Sequence, residues 1–180
     1  KLEPNGKHTR SESAMIMLEE TEYAGFEPGA VERIVALHMN YYGPNWHFGS
    51  AFEKYLVDGL GEFTARLNPE KDLFLVAKRG GEIVGSVCID GSATEDAQLR
   101  WFILDPSIHG RGIGNGLLSR AMAFVRSAGH RHVYLFTFKG LDSACRLYEK
   151  HGYRLTETLD ADNTYGTPVT GLRYDWWAES

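Results

Sequence analysis

The chain has 180 residues, 43% of them hydrophobic and 24% charged, with a formal net charge of −5. That is the balance of one globular domain able to bury a core; it offers no basic field for nucleic acid and no apolar run near the roughly 20 residues a membrane-spanning helix needs. Cys88 and Cys145 lie far apart without CxxC spacing, which indicates neither a disulfide framework nor a zinc site and makes a reducing cytoplasm the expected compartment.

Residues 1–14 are polar and aperiodic; they read as a flexible arm or an expression remnant, with a single domain over residues 15–180. Residues 15–20 are a short apolar-rich run that reads as a first strand. After Pro28-Gly29, the spacing of Val31, Ile34, Val35, Leu37 and His38 predicts a helix to about residue 42, broken by Gly43-Pro44-Asn45. Phe52, Tyr55, Leu56, Leu60 and Phe63 predict a second amphipathic helix ending near Asn68-Pro69. Residues 73–77 and 83–89 read as strands joined by Arg79-Gly80-Gly81-Glu82, whose glycines suit a tight hairpin. Residues 98–104 add a third strand and complete an antiparallel meander, ended by Asp105-Pro106.

A glycine-rich loop then opens a long helix. Its apolar stripe is Ile113, Leu117, Leu118, Ala121, Met122, Val125 and Ala128, with Gly129 as the cap. A strand over 132–138, a shorter helix over 142–150 ended by Gly152, and strands over 153–159 and 169–176 follow. The strand–helix–strand unit from 98 to 138 predicts a parallel pair with a right-handed crossover. The whole is an α/β arrangement, a mixed sheet flanked by helices.

The loop His109-Gly110-Arg111-Gly112-Ile113-Gly114 leads from a strand into a helix. Glycines let the backbone approach a ligand, and unpaired amides at a helix start, aided by the helix dipole, favour an anion. Arg111 adds positive charge and His109 a donor. The pattern lacks GxxxxGK[ST], so it is no P-loop. The preceding strand is the third of a meander, and no acidic residue about 20 positions on opens a following strand, which speaks against a dinucleotide site. By itself the loop reads as either an anion cradle or a plain glycine-rich cap.

The stretch Leu99-Arg-Trp-Phe-Ile-Leu-Asp-Pro-Ser-Ile-His-Gly-Arg-Gly-Ile-Gly114 resembles the coenzyme-binding motif of the GNAT-superfamily N-acetyltransferases. Ala144-Cys-Arg-Leu-Tyr-Glu-Lys-His-Gly-Tyr153 is similar to that family's second signature, A-x-x-L-Y-x-x-x-G-[F/Y]. The likeness spans about residues 15–177 and is strongest over 97–155. Within the superfamily, LRWFILDP and YLFTFKGLDSACRLYE look most like the acetyltransferase domain of MarR–GNAT fusion proteins, here expected as a stand-alone version. The resemblance implies an α+β fold: a mixed, mostly antiparallel sheet of about six to seven strands flanked by four helices.

It also implies an acetyl-CoA-dependent transfer of an acetyl group to a primary amine of a small molecule. The non-catalytic rivals are an acyl-CoA-binding sensor and an interaction domain with a vestigial loop. Backbone groups of Phe102, Ile103 and Leu104 would pair with the pantetheine arm. The amides of His109, Gly110, Arg111, Gly112, Ile113 and Gly114 would hold the pyrophosphate. The family usually has Arg or Gln where His109 stands, and many members have Asn where Leu141 stands. Tyr148 takes the family's general-acid position; its bland alternative is a core aromatic beside Leu147. Asp90, Glu95 and Asp96 lie near strand ends and are candidate bases acting through water, or simply solvated carboxylates. Neither His38 nor His47 has metal-ligand spacing, so no metal is expected and structural roles suit both. Trp46 lies in the ring-rich segment Tyr41-Tyr42-Gly-Pro-Asn-Trp46-His47-Phe48, which in the similar family overhangs the acceptor with the loop over 160–168. Trp46 is therefore the candidate substrate contact, against the reading that these rings only cover the sheet. No nucleic-acid or membrane partner is expected. A homodimer is, through the tail Tyr174-Asp-Trp-Trp177.

Overall fold

Gly80 and Gly81 have φ of 57° and 82°, the pair of positive values that a two-residue hairpin needs to match strand twist. They join β2 (Leu73–Arg79) to β3 (Glu82–Asp90) as antiparallel neighbours. β4 (Ala97–Leu104) completes the meander on β3, and β1 (Glu22–Ala24) pairs with the other edge of β2. In this computed structural model, residues 20–93 and 96–179 are described. The arm over 1–14, nearly all of the strand expected over 15–20, and the candidate base Glu95 lie outside the described residues.

From β4 the chain crosses through α3 (Ile113–Ser127) to β5 (His132–Phe138), which lies parallel to β4. α4 (Asp142–Lys150) leads to β6 (Arg154–Asp162) and then β7 (Val169–Trp177), which inserts between β6 and β5. The seven-stranded sheet has the order β1-β2-β3-β4-β5-β7-β6. With α1 (Ala30–Trp46) and α2 (Ser50–Ala65) it carries four α-helices among the described residues, the mixed and mostly antiparallel α/β arrangement that was expected.

Two helix ends differ from expectation. α1 does not stop at Gly43-Pro44 but runs to Trp46 with Pro44 inside it. A proline in the last turn removes a single ladder bond. The turn is held instead by the His47 amide on the Gly43 carbonyl at 2.9 Å and by contacts among Tyr41, Tyr42 and Trp46. α2 ends at Ala65, before Asn68-Pro69. Asn68 instead closes a turn, its carbonyl accepting from the amides of Lys71 and Asp72.

The sheet is packed on both faces. Leu75 and Ala77 of β2 join a core with α3 and α4, while Phe74 and Val76 join a second core with α1 and α2. That is ordinary strand alternation. β4 breaks it. Ala97 and Leu99 face the first core, yet Trp101 and Ile103, of the same parity, face the second. The cause is a bulge: the register against β3 slips between Ser86 and Cys88, Trp101 has φ 49°, and its carbonyl accepts from the Ser86 hydroxyl at 2.7 Å. One extra residue moves every later side chain to the opposite face. Phe102 and Leu104 thereby turn toward α3 and α4.

In the tail, Tyr174 and Trp176 are buried and only Trp177 is substantially exposed, its ring stacked 5.0 Å from that of His132. The apolar surface offered there is smaller than the sequence suggested, because alternation along β7 turns two of those three rings inward. Among the described residues, no helix is long and apolar enough to cross a membrane.

Candidate active site

β4 and β5 are paired only at Ala97 with Val133 and at Gln98 with Tyr134. Beyond those two pairs the strands part, and the backbone of β4 over residues 99–104 loses its neighbour on that side. The gap opens into a cavity of about 1210 Å³, larger than the few hundred to 1,000 Å³ typical of a single small ligand. It reaches from the glycine loop, past Phe102, Ile103 and Leu104, to the rings at the junction of α1 and α2.

At the loop end, Asp105 accepts from the Ser107 amide at 2.9 Å and sets a short 3₁₀ turn over Pro106–Ile108. The His109 amide is spent on the Pro106 carbonyl at 3.3 Å, and His109 Nε2 lies 3.3 Å from the Leu104 carbonyl oxygen. His109 lines the cavity while its amide makes this contact within the loop. The open amides run from Gly110 to Asn115, since the first helical bond of α3 is from Gly116 to Gly112. Gly110 and Gly112 have φ of 77° and 76°, and a Cβ on either would project into open space. Such a cradle fits a diphosphate at a helix N-terminus. Gly110, Gly112, Ile113 and Gly114 line the cavity, whereas Arg111 is exposed beside it. Two cations that the sequence reading missed, Arg146 and Lys150, line the cavity from α4. Their signal was their four-residue spacing, which puts both on one helix face.

Tyr148 is buried on α4 and lines the middle of the cavity. Its ring meets those of Phe102, Tyr153 and Tyr174 at 5.8, 6.1 and 6.1 Å. Burial, reinforced by the neighbouring phenols and Cys145, pushes its phenol well above the ordinary value of 10. The group stays protonated at neutral pH, with a proton to donate. Leu141, at the start of α4, also lines the cavity and is buried.

At the far end the wall is aromatic. Tyr42, Phe48, Phe52 and Tyr165 line it together with His38. Trp46, the expected contact, does not line the cavity. It stands behind, touching Tyr41, Tyr42 and Phe138 at 5.3 to 5.8 Å, because the continued helix turns its ring inward. His38 is buried, with Nδ1 2.8 Å from the Ile34 carbonyl. Burial drives its imidazole from 6.5 down to about 4, against the upward pull of that hydrogen bond. His47 is exposed at the end of α1.

The carboxylates expected as bases are engaged elsewhere. Asp90 pairs with Arg66 at 2.7 Å and Arg100 at 3.4 Å. Asp96 binds His132 Nδ1 at 2.7 Å. Neither lines the cavity. Among the described residues, no group of His, Cys, Asp and Glu could hold a metal ion.

Comparison with known proteins agrees with this geometry. The sequence profile of the Acetyltransferase (GNAT) family matches residues 31–153. An acetyltransferase of Pectobacterium atrosepticum is 37% identical over 95 residues, 53% of this chain and 64% of that protein. One of Sodalis glossinidius is 32% identical over 94 residues, 52% of this chain and 66% of its own length. The match thus spans under two thirds of these relatives. A Salmonella typhimurium protein described as an acetyltransferase, solved with its cofactor acetyl-CoA, aligns over 89% of this chain and 95% of its own, with a TM-score of 0.69 and 12% identity. An N-acetyltransferase of Staphylococcus aureus aligns over 88% and 98%, with a TM-score of 0.69 and 13% identity. At such identities these structures speak for the fold alone.

Proposed function

Since the chain belongs to the GNAT acetyltransferase family, we propose that it moves an acetyl group from acetyl-CoA to the primary amine of a small molecule, with Tyr148 as general acid. One observation carries the reading: a single cavity joins an amide cradle, the open edge of β4, a buried phenol and a ring-lined chamber. The first two suit the diphosphate and pantetheine of the coenzyme, and the last has room for a second substrate. Arg146 and Lys150 bring positive charge to the cavity from α4.

The chemistry follows from these groups. An alkylammonium, with a pKa of roughly 10.4, must first lose a proton to become a nucleophile; water at the chamber mouth takes it. The neutral nitrogen attacks the acetyl carbonyl while free amides of β4 face the developing oxyanion. The C–N bond forms and the C–S bond breaks. Tyr148 gives its phenolic proton to sulphur, and the second proton leaving nitrogen restores the phenol through water. The raised phenol pKa does not bar this step, because burial raises the proton affinity of a thiolate in the same place. It does so for the buried Cys88 thiol.

Calorimetry with acetyl-CoA and a thiol-release assay across an amine library test the reading. Binding with release of coenzyme A on adding an amine is expected. Binding with no release for any amine would leave a non-catalytic binder, and no binding would remove the coenzyme altogether.

A further inference from the structure

We propose that the acceptor is an arylalkylamine, its flat ring taken up among Tyr42, Phe48, Phe52 and Tyr165. The inference rests on the acetyl-transfer reading above and names the second substrate of that site.

The rings of the chamber brace one another. Tyr42 stacks on Phe48 at 5.7 Å and 15°; Phe48 meets Phe52 at 5.0 Å; Phe52 meets Tyr165 at 5.3 Å. Each ring is held by the next. Phe138, which also lines the cavity, and Trp46 behind it touch at 5.3 Å, and each meets Tyr42 at 5.8 Å. Tyr165 comes from the β6–β7 connection, yet it is not left to swing. Its carbonyl accepts from the Gly49 amide at 2.9 Å, and the Thr167 amide donates to the Trp46 carbonyl at 3.0 Å. Gly166 sits so close that a Cβ there would lie 2.3 Å from the His47 carbonyl oxygen. The roof is clamped to the α1–α2 junction.

The chemistry of the wall selects the ligand. Rings favour rings in offset or edge-on contact, and an ammonium near a ring face is attracted to it. His38 is neutral, and with Nδ1 directed at the Ile34 carbonyl it presents one acceptor nitrogen. The carboxylates that line this part of the cavity, Asp160 and Asp162, are exposed. They can draw in one cation at the mouth but do not reach a second charge deeper down. A polyamine, an amino sugar or a peptide would bury several polar groups against carbon, each costing stability when unpaired. An arylalkylamine brings one ring and one nitrogen. Enclosure also disfavours the ammonium form of that nitrogen, so the chamber itself favours the neutral nucleophile.

The test uses the full chain with phenethylamine, hexylamine, spermidine, glucosamine and a tetrapeptide. Binding of phenethylamine without coenzyme is followed by calorimetry, and thiol release is followed with acetyl-CoA. Phenethylamine is expected to bind saturably and to exceed hexylamine in kcat/KM about tenfold and spermidine about a hundredfold. Tyr165→Leu, and separately Phe52→Leu, should raise the KM for phenethylamine about tenfold while moving that for hexylamine less than about twofold. Preferred turnover of spermidine, glucosamine or the peptide, or no saturable phenethylamine binding, would overturn the inference and leave acetyl transfer standing. Phenethylamine binding with no thiol release for any amine would do the reverse, removing the transferase reading and keeping the ring-binding chamber.

Discussion

The ring of Tyr148 lies 5.8 Å from that of Phe102 at an interplanar angle of 60°, so a phenol of α4 is fixed against the strand that parts from β5. Removing only its oxygen leaves that contact intact. Tyr148→Phe should therefore keep acetyl-CoA affinity within about twofold and lower kcat by about 10²- to 10⁴-fold. Calorimetry and steady-state thiol release measure the two quantities separately. Unchanged kcat would reduce Tyr148 to a packing residue.

Gly112 stands at the N-cap of α3 with φ 76° and open space where a Cβ would go. Gly112→Ala adds about 1–2 kcal/mol of left-handed strain and puts a methyl group in the amide cradle. The Kd for coenzyme A should rise about tenfold or more. The kcat/KM for acetyl-pantetheine, which has no diphosphate, should stay nearly constant. Equal losses for both would show that the loop acts on the fold and not on phosphate.

His38 gives a pH signature. Burial lowers its imidazole to about 4 from 6.5, opposed by the Ile34 carbonyl, so between those values the unfolded chain binds the proton that the folded chain refuses. Stability from this group is whole above pH 6.5 and falls by about 3 kcal/mol as pH drops to 4. Urea unfolding from pH 7.5 to 4 should show this slope, and His38→Phe should flatten it.

Asp175 gives the complementary signature. Burial would raise its carboxyl, but hydrogen bonds from Arg173, Thr156 and His132 outweigh that and hold it at about 2 against 3.8. Its contribution is present above pH 3.8 and is lost as pH falls toward 2. Asp175→Asn should destabilise the fold by about 2 kcal/mol at pH 7, with the gap to the parent chain narrowing between pH 4 and pH 2. A gap that stays constant over that range would assign the loss to packing.

Continuous apolar runs were enough to read β2 and β3, which are buried on both faces, and a 3.6-residue apolar stripe was enough to read α3, which lays one face on a core. The two glycine-marked features, the hairpin at Gly80-Gly81 and the helix start at Gly112, were legible because side-chain sterics restrict positive φ. Three things were not. The bulge at Trp101 leaves no local mark, since a run such as Leu99-Arg-Trp-Phe-Ile fits regular alternation equally well. The survival of α1 past Pro44 depends on rings far away in sequence, such as Phe138 against Trp46. The place of Trp46 behind the cavity wall depends on how the end of α1 meets β5. Propensity is local, and these outcomes are set by tertiary contact.

The parting of β4 from β5 has a consequence for how the molecule comes apart. With only two register pairs between them, the sheet is two ladders, one of four strands and one of three, held in line by α3 and by side-chain packing. A ligand lying in the gap would serve as mortar between them. At a hundred times its dissociation constant such a ligand adds about 2.7 kcal/mol to stability. Its effect should concentrate in hydrogen exchange along the seam, where the amides of β4 beyond Gln98 have no strand on one side. The weakest join in the sheet is also the seat proposed for the coenzyme's arm.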